Sequence, residues 1–210
     1  MEEGKFIVLE GIDGSGTTTQ AVKLAEWMRD QGMDVHLTME PSAERIGSII
    51  RDYLTARVDL PNRHLGTHTL ALLFAADRLD HLAREVEPKL SEGVHVVSDR
   101  YLLSSLAYQS AECDPEWVEV INREARPPDL TLLLDLEPEV SMKRVRERYL
   151  WPELFEEIGT QKKIRELYLR RVRELYSEHA IIVIDGARGI EEVHKTIIKE
   201  VSIFLRTHST

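Results

Sequence analysis

The sequence predicts an α/β protein, a parallel sheet of about five strands flanked by helices on both faces, in a single domain over residues 1–210. Three observations carry that expectation. Short apolar runs alternate with long segments of helical periodicity, and connections of that length cross over right-handedly and return parallel. The runs Phe6–Leu9, Val94–Ser98 and Leu130–Leu136 are nearly continuous in apolar residues, as strands buried on both faces are. Polar residues collect beyond the strand ends, at Gly11–Gly16, Glu40-Pro41, Asp99-Arg100 and Asp185-Gly186, the edge where open α/β sheets bind ligands.

The first strand breaks at Gly11 into a glycine-rich loop, and a helix follows. Glycines let successive backbone N–H groups turn inward on an anion, while the helix behind them adds unpaired donors and the positive end of its dipole. The spacing fits G-x-x-x-x-G-K-[ST], which sharpens the fold class to a P-loop NTPase fold. Gly11, Ile12, Asp13, Gly14, Ser15, Gly16, Thr17, Thr18 and Thr19 are therefore candidates for holding nucleotide phosphates. Thr18 supplies the hydroxyl expected on Mg2+. Thr17 stands where the pattern has its lysine.

The first helix, Thr18 to Asp30, places Ala21, Leu24, Ala25 and Met28 on one face, and Gly32 stops it. A strand from Asp34 to Met39 leads to a helix over Ala43–Leu54, with Ile46, Ile49, Ile50 and Tyr53 at helical spacing. A long helical pattern runs from about His64 to Ser91. Leu72, Ala76, Leu79 and Ala83 form its expected core stripe, while Phe74, Arg78 and His81 share another face. After the strand Val94–Ser98 come helical segments near Leu103–Ala111 and Pro115–Glu124, then a break at Pro127-Pro128. Beyond the strand Leu130–Leu136 lie a basic helix, Pro138–Tyr149, and a charged helix, Phe155–Glu178, with the seam Ile164, Leu167, Tyr168, Val172 and Leu175. Strand Ala180–Ile184 and a last helix, Ile190–Leu205, burying Val193, Ile197, Val201 and Leu205, complete the pattern.

Composition narrows the function. A net charge of -10 and the lack of a basic stripe argue against nucleic acid as a partner. Cys113 is the single cysteine, which excludes an intrachain disulfide and a cysteine-based zinc site. The acidic start runs directly into a strand, unlike a signal peptide, and no apolar run approaches the roughly 18 residues of a membrane span. The expectation is a cytoplasmic protein with no membrane partner.

Leu9-Glu-Gly-Ile-Asp-Gly-Ser-Gly16, Phe74-Ala-Ala-Asp-Arg78 and Asp99-Arg-Tyr-Leu-Leu-Ser-Ser-Leu-Ala-Tyr-Gln109, taken together, resemble thymidylate kinases, members of the P-loop nucleoside monophosphate kinases. The last stretch is the most specific, and the order of motifs matches across nearly the whole chain. The resemblance implies transfer of the ATP γ-phosphoryl group to dTMP, giving dTDP and ADP, with Mg2+ as cofactor and a homodimer as the assembly. It implies that Phe74 stacks on thymine, that Arg78 bonds the base carbonyl, and that Ser105, Tyr108 and Gln109 line the same pocket. It further implies that Asp13 faces the acceptor, that Arg100 clamps the acceptor phosphate and that Asp99 holds Mg2+ through water or orients Arg100. Arg51 and, behind it, Arg45 are candidates for the dTMP phosphate, and Met39 replaces the arginine that usually opens the family's Arg-Glu-Pro stretch. A lid at about 144–156 is implied as the source of a catalytic arginine, from Arg144, Arg146 or Arg148, because the loop itself carries none.

The missing ammonium is a quantitative matter. A charge at about 4 Å in an effective dielectric near 20 is worth roughly 4 kcal/mol. Losing one preorganised donor costs about 2.7 to 4 kcal/mol of barrier, or two to three orders of magnitude in rate. Three readings follow: a working dTMP kinase in which a lid arginine or Lys143 replaces the charge, a catalytically weak or inactive nucleotide-binding regulator, or a kinase of another small nucleotide or nucleoside.

Overall fold

The computed structural model describes residues 3–55, 63–148, 158–175 and 180–207. In chain order they form β1 (Phe6–Glu10), α1 (Thr17–Asp30), β2 (Val35–Met39), α2 (Arg45–Leu54), α3 (Arg63–His81), a π-helical turn (Leu82–Val86), α4 (Glu87–Ser91) and β3 (His95–Asp99). There follow α5 (Leu102–Tyr108), a 3-10 turn (Gln109–Ala111), α6 (Pro115–Asn122), β4 (Leu130–Asp135), α7 (Pro138–Arg148), α8 (Ile158–Leu175), β5 (Ile181–Asp185) and α9 (Ile190–Thr207).

The five strands pair in parallel in the order β2-β3-β1-β4-β5. Leu9 and Met39 both pair with Asp99, and Glu10 pairs with Leu133, so the carboxyl ends of the central strands are level. The glycine loop, Glu40 and Arg100 thereby share one edge. Alternation along β1 divides the core between the two sheet faces. Ile7 and Leu9 pack with Leu24 and Met28 of α1 and with Ile197, Val201 and Phe204 of α9. Phe6 and Val8 pack on the other face against Val86, Leu90 and Tyr101, and beside them Ile12 meets Ile164 and Tyr168 of α8.

Two expectations need correction. Leu72, Ala76, Leu79 and Ala83 do not face the core: Leu72 is 50% exposed and Leu79 42%, while Ala71, Ala75, Arg78, Leu82 and Val86 are buried. A mean periodicity locates a helix but cannot rank two apolar stripes, and the buried one includes charges satisfied by tertiary partners. In the last helix Phe204 is buried, with Leu205 only partly covered, which moves the seam by one residue. The π turn has a local cause. Pro88 lacks the N–H that the carbonyl of Arg84 would receive, and the helix widens just before it.

Candidate active site

Backbone conformation shapes the glycine loop. Gly14 and Gly16 adopt φ 79° and 98°, left-handed values that side chains resist. A Cβ on Gly14 would lie 2.5 Å from the carbonyl oxygen of Ser141 and 2.9 Å from Val145 Cγ2, so α7 rests directly on the loop there. Gly16 caps α1 with no side-chain hydrogen bond, leaving the first-turn amides directed at the loop. Such an end is suited to an anion. Thr17 is buried at 5% exposure, whereas Thr18 is exposed and donates its Oγ1 hydrogen to Asp99 Oδ2 at 2.5 Å. Asp99 Oδ1 is buried without a partner among the described residues. A hydroxyl and an unsatisfied carboxylate oxygen, both hard oxygen donors, fit a hydrated Mg2+ beside nucleotide phosphates.

On the neighbouring strand end, Arg100 takes φ 70°, the one non-glycine residue with positive φ among those described. Its Nη2 donates to Asp13 Oδ1 at 2.6 Å and its Nη1 to Ser104 Oγ at 3.3 Å, and the guanidinium sits 5.2 Å from the Tyr108 ring centroid. The Tyr108 hydroxyl in turn accepts the backbone N–H of Asp13 at 3.1 Å. Asp13 is half exposed, so this cation and carboxylate stand at the rim, within reach of an arriving phosphate.

Behind that rim lies a cleft of about 380 Å³. Phe74, Arg78, Ser105, Tyr108 and Gln109 line it together with Asp13, Arg100 and Glu40, so the predicted acceptor residues converge except Arg51. Arg78 is 1% exposed and largely spent on protein partners. Its Nη2 donates to Glu40 Oε2 at 2.7 Å and Ser105 Oγ at 2.8 Å and lies 3.2 Å from Tyr101 O, and its Nη1 donates to Asn122 Oδ1. Among the described residues its Nε has no acceptor and Gln109 Oε1, in the same wall, has no donor. Glu40 also accepts from His81 Nδ1 at 3.4 Å, and His81 Nε2 lies 2.7 Å from Thr38 Oγ1. Burial alone would lower the His81 pKa, but its hydrogen bond to Glu40 and the charges of Glu40, Glu85 and Asp77 raise it above the ordinary value.

Other predicted residues lie elsewhere. Arg51 donates its Nη1 to the carbonyls of Pro41 and Ser42, bracing the segment after β2, and does not line the cleft. Arg144 gives Nη1 to Gly186 O and Nη2 to Ala187 O and Arg188 O, bridging α7 to the turn after β5. Arg146 lies with Lys143 in a separate hollow. The side chain of Arg148 and the lid positions 149–156 lie outside the described residues.

Sequence reasoning passed over Glu10, Ser104 and Asn122, and it read Tyr168 as packing alone. Glu10 and Tyr168 had a signal, a carboxylate ending an otherwise apolar strand and a hydroxyl within an apolar seam. Asn122 had none that distinguishes it from any helical asparagine.

A phosphate loop on β1, an Asp-Arg pair on β3 and a cleft between them define a P-loop nucleoside monophosphate kinase architecture. A family model described as thymidylate kinase matches residues 9–197. The chain is 42% identical over 196 residues to a probable thymidylate kinase of Pyrococcus horikoshii, covering 93% of this chain and 94% of that one. Probable thymidylate kinases of Thermococcus onnurineus (43% over 197 residues, 92% and 95% covered) and Methanocaldococcus jannaschii (42% over 200 residues, 94% and 96%) are similarly close. The chain belongs to the thymidylate kinase family.

Proposed function

We propose that this protein transfers the γ-phosphoryl group of ATP to the 5'-phosphate of dTMP, giving dTDP and ADP. The observation that carries the reading is the convergence of a phosphate loop, Arg100 and the Phe74-lined cleft at one sheet edge. Phosphoryl transfer asks mainly that two anions be held in line while developing charge is neutralised. The loop amides hold the donor phosphates, and Arg100, steered by Asp13, holds the acceptor phosphate. Phe74 stacks on the base, Arg78 Nε donates to its carbonyl and Gln109 Oε1 accepts its N–H. Thr18 and Asp99 would hold Mg2+, which would supply positive charge to the donor phosphates. The cytoplasmic location belongs to the same proposal.

The cation that replaces the missing lysine is assigned to α7. Gly14 touches this helix at Ser141 and Val145. Of the three lid arginines Arg148, the last residue of α7, is the one left for this role. Arg144 is engaged by the turn after β5, and Arg146 lies in the other hollow. The lid expected at about 144–156 thus contributes its charge through Arg148.

The homodimer is also kept as a proposal, with a stated surface. Leu65, Leu72 and Leu79 are 61%, 50% and 42% exposed along α3, with exposed Ala76 and Ala83 between and beyond them. A second copy pairing α3 with α3 would remove this stripe from water in both chains at once.

Substrate identity is tested by a panel of dTMP, dUMP, dCMP and thymidine with MgATP. dTMP is expected to give the highest kcat/KM; preference for any other member would overturn the assignment.

A further inference from the structure

Glu10, the last residue of β1, is a fully buried carboxylate to which the reading above gives no task. Its Oε1 accepts the backbone N–H of Tyr101 at 3.0 Å and of Ser104 at 3.1 Å, so it occupies the start of α5. Its Oε2 accepts the hydroxyl of Ser104 at 2.5 Å and lies 3.2 Å from that of Tyr168. Burial raises the Glu10 pKa from its usual value, against the Ser104 hydrogen bonds and the Arg100 charge, which lower it. Keeping such a group in the interior is costly unless it organises polar neighbours.

What it organises is the hydroxyl of Ser104. That oxygen gives its one proton to Glu10, and its two lone pairs face the Tyr168 hydroxyl at 2.8 Å and Arg100 Nη1 at 3.3 Å. Tyr168 also stands 3.3 Å from the carbonyl of Gly11, the first residue of the phosphate loop. Arg100 has a left-handed backbone conformation that a side chain resists and that persists only where its surroundings over-determine it. The surroundings here are the Arg100 N–H on Leu9 O at 2.8 Å and the Glu10 bonds to Tyr101 and Ser104 just beyond.

We propose that Ser104, anchored by Glu10 and Tyr168, is the positioning residue that aims Arg100 at the acceptor phosphate and ties that aim to the phosphate loop. The inference rests on Arg100 acting as the acceptor clamp. Without the Ser104 hydroxyl, Arg100 keeps its charge and its Asp13 partner but loses the contact that fixes the second arm of its fork.

Calorimetric titration of dTMP and of ATP into Ser104→Ala, Ser104→Thr, Tyr168→Phe, Arg100→Ala and the Ser104→Ala/Arg100→Ala double variant tests this. Ser104→Ala is expected to weaken dTMP about tenfold, the loss of one oriented charge-assisted contact, with ATP affinity held within about twofold. Ser104→Thr, which keeps the hydroxyl, is expected to restore dTMP binding to within about threefold, and Tyr168→Phe to fall between the two. The double variant is expected to bind dTMP no more weakly than Arg100→Ala alone, as for residues acting through one contact. Wild-type dTMP affinity in Ser104→Ala, equal weakening of dTMP and ATP, or additive losses in the double variant would overturn the proposal while leaving the clamp intact. Unchanged dTMP affinity in Arg100→Ala would overturn the clamp and the proposal together.

Discussion

At the scale of single residues, the chain lacks one charge and keeps the loop geometry around it. Thr17 is buried where an ammonium would project, and the replacement charge proposed above is Arg148, on the helix that approaches the loop at Gly14. Arg148→Ala is therefore expected to lower kcat by about two to three orders of magnitude, the loss of one preorganised donor. Adding Thr17→Lys to that variant restores most of the rate, whereas Thr17→Lys alone changes it less than about fivefold, because the position is already served. Equal rates for Arg148→Ala and the unmodified chain would remove Arg148 from the site.

His81 gives a second prediction at this scale. Its folded pKa is held above the ordinary 6.5, chiefly by Glu40 against the opposing effect of burial. The stabilisation it contributes is fully present below pH 6.5 and is lost as pH rises through the raised folded value. Urea unfolding across that window should show stability falling with pH, and a flatter profile in His81→Gln. Parallel profiles would mean that His81 does not titrate as argued.

At the scale of elements, α3 has two unlike faces. One carries Arg78 and His81 into a buried network with Glu40; the other carries leucines into solvent. If two copies cover that second face, the protein sediments at twice 24.2 kDa, and Leu72→Glu shifts it to the monomer mass while leaving its circular dichroism unchanged. A monomeric unmodified chain would dismiss the interface. Packing in α1 is of the ordinary kind. Leu24 is fully buried between the helix and the sheet, and Leu24→Ala should cost about 2–5 kcal/mol in denaturant unfolding. A loss under about 1 kcal/mol would place Leu24 outside the core.

At the scale of the whole molecule, the sheet, its parallel sense and most helices were legible because their signals are local: apolar runs, helical spacing, and glycine and proline punctuation. The five strands and their parallel pairing came out as expected, and Phe74, Arg78, Ser105, Tyr108 and Gln109 line one cleft. Strand order had no local signal, since insertion of β3 between β2 and β1 is decided by tertiary packing. Long cationic side chains were the least legible. Arg51 and Arg144 reach backbone carbonyls that only the folded chain brings near, and nothing in their spacing distinguishes them from Arg100. Ser104 was missed for the same reason: its partner Glu10 lies 94 positions away.

The central claim is that this chain turns over without the P-loop lysine. The most direct measurement is ATP-dependent formation of dTDP from dTMP by the unmodified protein with Mg2+. Product that requires all three components is expected, at a rate that Thr17→Lys raises less than about fivefold. Binding of ATP and dTMP with no dTDP formed would contradict the account and leave a nucleotide-binding protein in its place.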